Sequence, residues 1–301
     1  MHASQHQPGF WFALLRQFYT ATRQAVQTYK TDLRGAFYWI YARNLVSLRP
    51  GSNYAAQVPE KVKPLAETGY QPLPPLSPDL TRALVDHYLA NVEPGISYGS
   101  LADYFESKRG EGLVRPAGLD VPLERELIGR IFAESGLVDL AEAFLGLDRD
   151  QMMFQAKIDT LVRISTDRTL VDGYDDALEI HRDVDSLKFV KAFYYLKDVE
   201  EGYGHHEVYL GTHRKIPWGL RLIRRYTEAD LQANGVAAEL KKVTGKAGSG
   251  FIENTTAFHR GTVPVSGDRI ILSMSFNDLA STQAIYRGGH YAPMSAVLMS
   301  P

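Results

Sequence analysis

The chain has 301 residues, a formal net charge of -2 and no cysteine. That composition excludes a disulfide framework, a thiolate metal site and a thiol nucleophile, and it lacks the basic excess of a nucleic-acid-binding domain. With 45% hydrophobic and 23% charged residues the balance is that of a globular protein, long enough for one large β-domain with helical additions or for two modest domains.

From Phe10 to Leu48 apolar residues fall at mixed helical spacings without a proline, which predicts helix broken near Gly35. Arg16 ends the first apolar stretch well short of a membrane span. No basic lead and no small-residue cleavage site mark it as a secretory signal, so a cytoplasmic protein without a membrane span is the expectation. Residues 1–63 are thus expected to form an N-terminal helical extension. Packing on the main domain is one reading of its aromatic faces, and a membrane-surface or partner-binding helix is the other.

Prolines at 59, 64, 72, 74, 75 and 78 then punctuate the chain and place the start of the main domain, 64–301. Ser77-Pro78-Asp79 has the form of a helix start, followed by Leu80, Leu84, Val85, Tyr88 and Leu89. A second helical stretch is predicted from Leu123 to Leu145 with a break near Gly136. Beyond Asp150 the pattern changes to short runs rich in branched and aromatic residues: Ile158–Ile164, Leu187–Leu196, Glu207–Leu210, Gly250–Ile252 and Arg269–Phe276. Helices first and short strands after them predict an α+β chain whose sheets form a sandwich or barrel buttressed by helices.

The chemistry is concentrated in four residues. His181 and Asp183 stand two positions apart, and on an extended chain such residues face the same side and reach one metal ion. Alone this pair is common by chance. His259 lies 76 positions beyond Asp183, directly after an apolar stretch, and a Greek-key sandwich brings such distant strands side by side. Two histidines and one carboxylate form the facial triad of non-haem iron(II) oxygenases and leave coordination positions open for a co-substrate and oxygen. Arg269 follows a turn-like Val265-Ser266-Gly267-Asp268, and its guanidinium suits the distal carboxylate of 2-oxoglutarate as a two-pronged partner.

The stretch His181-Arg182-Asp183, the strand Lys191 to Val199, Tyr203-Gly204, Val208 to His213, His259-Arg260-Gly261-Thr262 and Arg269 together resemble the phytanoyl-CoA dioxygenase family. Gly69 to Leu73 and Leu76 to Leu80 are similar to that family's opening segment, so the resemblance runs from about 66 to 280. It implies a double-stranded β-helix, a jelly roll of cupin-like form. It also implies iron(II) held by His181, Asp183 and His259, and 2-oxoglutarate held by Arg269. Phe193 then falls where an aromatic lines the co-substrate pocket, and Thr262 near where a hydroxyl helps bind the carboxylate. The implied activity is that of a dioxygenase that converts 2-oxoglutarate and oxygen to succinate and carbon dioxide while hydroxylating a small organic substrate. With Asp183 in place, the position that related halogenases leave for chloride is filled. Before Gly211 the chain departs from the family, with Tyr203-Gly204 and Leu210 where an Asn-Gly pair and a proline are usual.

Other features have plainer readings. His205 and His206 are adjacent and on a strand point to opposite faces, so they are not expected to share an ion. His213 is expected to make a structural hydrogen bond, and Gly245 to Gly250 lacks the form of a phosphate loop. Arg214, Lys215, Arg221, Arg224 and Arg225 lie in an insertion at 213–245, either as a solvated helix face or, through Arg221, Arg224 and Arg225, as a clamp for an anionic group on the substrate. Two rival functions remain at this stage: a cupin-like iron enzyme that uses no 2-oxoglutarate, and a non-catalytic jelly-roll binding protein. Neither the substrate nor the oligomeric state follows from the sequence.

Overall fold

The computed structural model describes residues 58–92, 121–161, 178–183, 185–220, 225–285 and 291–298. The helices expected between Phe10 and Leu48 lie outside these residues.

In chain order the elements are α1 (Lys63–Thr68), β1 (Tyr70–Leu73), α2 (Pro78–Val92), β2 (Val121–Pro122), α3 (Arg125–Ser135), α4 (Leu137–Leu145), β3 (Met152–Leu161), β4 (Ile180–His181), β5 (Phe189–Tyr195), β6 (His206–Tyr209), β7 (Arg225–Tyr226), α5 (Glu228–Ala233), β8 (Leu240–Val243), β9 (Gly250–Glu253), β10 (His259–Gly261), β11 (Arg269–Asp278), α6 (Leu279–Ile285), β12 (Ala292–Pro293) and α7 (Met294–Leu298). The expected helix start at Ser77 is present, because its hydroxyl accepts the Leu80 amide at 3.3 Å. Ser77 also donates twice to Glu134, through its amide at 2.7 Å and its hydroxyl at 2.9 Å, which binds α2 to α3. The expected break falls at Gly136, whose left-handed φ of 64° separates α3 from α4.

The described strands form two antiparallel sheets. The larger runs β1-β9-β5-β11-β3-β12, with β2 paired to β3, and the smaller runs β7-β4-β10-β6-β8. Side chains alternate across the larger sheet. Ile158, Val190, Ala192, Tyr194, Ile252, Ile270, Leu272, Met274 and Phe276 pack against Leu80, Leu84, Ile131 and Leu137 of the helices in one core cluster. The opposite face places Tyr195, Phe251 and Ile271 against Val208, Val243 and Ala257, in a second cluster between the sheets. Helices therefore cover one face of the sheet and leave the other for the site.

The insertion at 213–245 supplies β7 and β8, the two edges of the smaller sheet. Its Ile216, Leu220, Tyr226 and Leu231 pack with Ile180 and Phe258, each next to a candidate ligand in sequence. It is thus part of the sheet that carries the candidate site.

Gly248 turns the chain between β8 and β9 with φ of +88°, and a Cβ there would stand 2.8 Å from the Leu76 carbonyl oxygen. Its backbone is held at both ends, since its amide donates to Tyr195 and its carbonyl accepts from Leu76. Gly248→Ala should therefore lower the free energy of unfolding by ~1–3 kcal/mol, read as a lower denaturant midpoint at unchanged slope.

Candidate metal centre

His181 and His259 are Cα partners on the neighbouring strands β4 and β10, so the backbone ladder itself sets their rings 4.2 Å apart. Each ring is oriented in the same way. His181 Nδ1 lies 2.8 Å from the Glu179 carbonyl and His259 Nδ1 3.0 Å from the Ala257 carbonyl, in both cases two residues upstream. A carbonyl only accepts, so Nδ1 carries the hydrogen and Nε2 is left as the ligand atom. Asp183 continues from β4, and its amide donates to the Thr255 carbonyl at 2.8 Å, which fixes the chain beyond the strand. Its carboxylate oxygens then stand 3.8 Å from His181 Nε2 and 3.6 Å from His259 Nε2. One donor atom from each of the three residues lies within 4.8 Å of the others. Two imidazoles and a carboxylate, with no thiolate, suit iron(II), and the residues present fit that ion.

The charges around this cluster come from the larger sheet. Lys191 Nζ donates to Asp183 Oδ2 at 2.8 Å and pairs with Asp185 Oδ2 at the same distance. Burial would raise the pKa of Asp183, but Lys191 and the two histidines outweigh it and hold the carboxyl well below its usual range. Burial, helped by His259 and Arg225, pushes His181 well below the ordinary histidine value, which keeps it neutral as a ligand must be. His259 behaves differently. Burial lowers its pKa, yet Glu253 and Asp183 overcome this and leave it raised. Glu253 is wholly buried, bonded through Oε2 to His206 Nε2 at 2.7 Å, with Oε1 3.8 Å from His259 Nδ1.

The structure places Arg269 at the start of β11, buried, with Nη1 donating to the Gly204 carbonyl at 2.5 Å. On β11 it shares a face with Ile271, which packs in the cluster between the sheets, so Arg269 lies on the face turned to the smaller sheet, and there the His206 ring stacks on His259 at 5.5 Å. Phe193 lies on the same face, stacked on Phe251 at 5.0 Å and 5.4 Å from the His206 ring. The Thr262 hydroxyl lies 3.0 Å from the His205 carbonyl and 3.1 Å from His205 Nδ1, tying β10 to β6. Arg225 sits opposite His181 on β7, with Nε 3.6 Å from Glu179 Oε2. Arg221 and Arg224 lie outside the described residues.

His205 and His206 do diverge, the first to Thr262 and Glu207 and the second to Glu253. His213 donates its Nε2 hydrogen to the Ala66 carbonyl at 3.0 Å, and burial pushes its pKa down to about 4. In the Gly245 to Gly250 loop the amides of Gly245, Ala247, Gly248 and Ser249 all have partners within the protein, so these four do not form a phosphate cradle. Sequence reasoning assigned no role to Lys191 or Glu253. The available signal was the strand period, which puts Lys191 on the face of Phe193, and Lys191 and Glu253 prove to be Cα partners on β5 and β9.

No family model matches the chain, and no curated protein does either. Among solved structures, the apoform of EctD from S. alaskensis superposes with a TM-score of 0.50 at 16% identity, over 80% of this chain and 83% of that one. EctD from S. alaskensis with 2-oxoglutarate and 5-hydroxyectoine gives 0.44 at 15% identity, over 81% and 86% of the two chains. The non-heme alpha ketoglutarate dependent epimerase SnoN from nogalamycin biosynthesis gives 0.45 at 16%, over 76% and 83%. The likeness to the EctD apoform is one of fold.

The raised pKa of His259 has a measurable result. In the metal-free protein its proton contributes stability that is complete below the ordinary value of 6.5 and lost as pH rises through the raised one. A metal ion must displace that proton. Binding of Ni(II) should tighten as pH rises toward the raised value, by at most about tenfold per pH unit with up to one proton released, and level off once that value is passed. Calorimetry in buffers of different ionisation enthalpy measures both.

Proposed function

We propose that the protein is a non-haem iron(II) and 2-oxoglutarate dependent dioxygenase of the phytanoyl-CoA dioxygenase type, its two sheets forming a double-stranded β-helix. The observation that supports this best is the pairing of His181 with His259 across β4 and β10, both Nε2 atoms directed at Asp183. His181, Asp183 and His259 hold the ion, and Arg269 holds the far carboxylate of 2-oxoglutarate as a charge-assisted pair. Phe193 forms an aromatic wall of the co-substrate pocket, and Thr262, whose hydroxyl is already engaged by His205, would stand at its rim. Bound there, iron(II) with 2-oxoglutarate and oxygen supplies the oxidising power to hydroxylate a small organic substrate, with succinate and carbon dioxide released.

The chain's own share is positional. The Glu179 and Ala257 carbonyls hold both imidazole rings in one orientation, so neither ring has to turn when the ion arrives. Phe193, Phe251 and Tyr195 exclude water from the space between Arg269 and the triad, which strengthens every charge interaction there. Arg225, with Arg221 and Arg224, would meet an anionic group on the substrate at the insertion. A cytoplasmic location fits this reading, and no described helix is long and apolar enough to cross a membrane.

Two measurements test it. Succinate should form from 2-oxoglutarate with iron(II) in the wild type, and His181→Ala, Asp183→Ala and His259→Ala should each abolish it, since each removes one of three ligands. Activity near wild type in two of the three would sink the triad. Arg269→Ala should weaken 2-oxoglutarate binding by roughly tenfold to a thousandfold while leaving metal binding intact. An unchanged 2-oxoglutarate titration would place the anchor elsewhere.

A further inference from the structure

Lys191 is the one charged side chain on a strand of otherwise apolar and aromatic residues, Phe189–Tyr195, and it is turned inward at the candidate ligands. It is four-fifths buried, with 20% of its side chain exposed, and its Nζ sits at 2.8 Å from both Asp183 Oδ2 and Asp185 Oδ2. A lysine usually keeps its ammonium in water, and drawing it into the protein carries a desolvation cost of several kcal/mol. Simple charge balance does not require it here, because the ion that Asp183 awaits already carries the compensating charge.

The geometry explains its presence in another way. A carboxylate can grip a metal ion through one oxygen or through both, and the second mode consumes an extra coordination position. Asp183 has its two oxygens in different surroundings: Oδ2, 3.6 Å from His259 Nε2, also accepts from Lys191 at 2.8 Å, while Oδ1 lies 3.8 Å from His181 Nε2. Asp185 holds Lys191 from the far side, so the ammonium is kept at Oδ2 by a second carboxylate that is itself buried. We propose that Lys191 is a positioning residue that occupies Asp183 Oδ2 and restricts Asp183 to one-oxygen coordination. This keeps open the adjacent positions that 2-oxoglutarate needs to chelate the ion. The inference rests on the functional reading above for its co-substrate, but its coordination claim stands on the ligand cluster alone.

Manganese(II) serves as the probe, because the relaxation of water protons by the bound ion reports how many water molecules it still carries. Lys191→Met keeps the length of the side chain and removes its donor. In that variant both oxygens of Asp183 are released to the ion, so one of three open positions is filled and water relaxivity per bound manganese should fall by about a third. Manganese affinity itself should not weaken, since a neighbouring cation has been removed. 2-Oxoglutarate should bind the manganese-loaded variant on the order of tenfold more weakly than the wild type, or about 1.4 kcal/mol. If Lys191→Met does not fold, Lys191→Gln is used instead, as its shorter chain cannot span Asp183 and Asp185 together. Unchanged relaxivity, or a loss of manganese affinity in step with 2-oxoglutarate affinity, overturns the proposal and leaves Lys191 a packing residue. If the wild type itself fails to bind 2-oxoglutarate, the functional reading falls, and the relaxivity difference without co-substrate still decides the role of Lys191.

Discussion

The pairing of β4 with β10 is the constraint on which the site depends. β4 has two residues and β10 three, and they meet at a single Cα pair, His259 with His181. A one-residue slip would turn one histidine away from the other, because side chains alternate with a period of two. Register this short cannot be set by a long ladder. It is set by flanking contacts: the Asp183 amide on Thr255, β10 with β6 over three residues, and Phe258 in the cluster with Ile180, Tyr226 and Leu231. The insertion that carries Tyr226 and Leu231 therefore supports the strands of the candidate ligands as well as lying beside them.

A second constraint follows from what the two faces of the larger sheet must do. Its outer face is apolar and buries Val190, Ala192, Ile252 and Leu272 against the helices. Its inner face carries Lys191 and Glu253, opposite one another on β5 and β9. Isolated charges there would be costly, and each is matched by a charge or dipole on the smaller sheet side. Lys191 stands behind the carboxylate of the candidate ligand Asp183, and Glu253 stands behind the imidazoles of His206 and His259. The same pattern continues at the rim, where Glu207 takes Arg260 at 2.7 Å and its pKa is lowered to about 2. Burial opposes that shift, and His205 and Arg260 outweigh it.

Legibility from the sequence follows the physics of each residue. His181, Asp183 and His259 were visible because the i, i+2 rule is local and the third ligand ends an apolar run. α2, α3 and α4 were visible through a cap and a glycine stop, and β5, β6, β9 and β11 through branched and aromatic runs bounded by turn residues. β7 was not, and β4 and β10 were placed only through the ligands they carry, since two or three residues are too few for a period to register. β3 begins at Met152, ahead of the expected Ile158, because Met153, Gln155, Ala156 and Lys157 are weak strand formers whose pairing with β11 over ten positions overrides their preference.

Lys191 and Glu253 show why the supporting residues around the ligands are harder to see than the ligands. A lone lysine in a strand is ordinarily outward, and a lone glutamate likewise, so each taken separately predicts a solvated face. Only the ladder shows that both point inward and that they are neighbours. Their partners are distant in sequence: Glu253 reaches His206 across 47 positions and lies near His259 from another strand. Ligands can be recognised from their own chemistry, but the charges that orient them take their meaning from register. Register here is the joint product of two sheets and an insertion, which is why the candidate ligands could be named from the sequence and the residues that hold them in place could not.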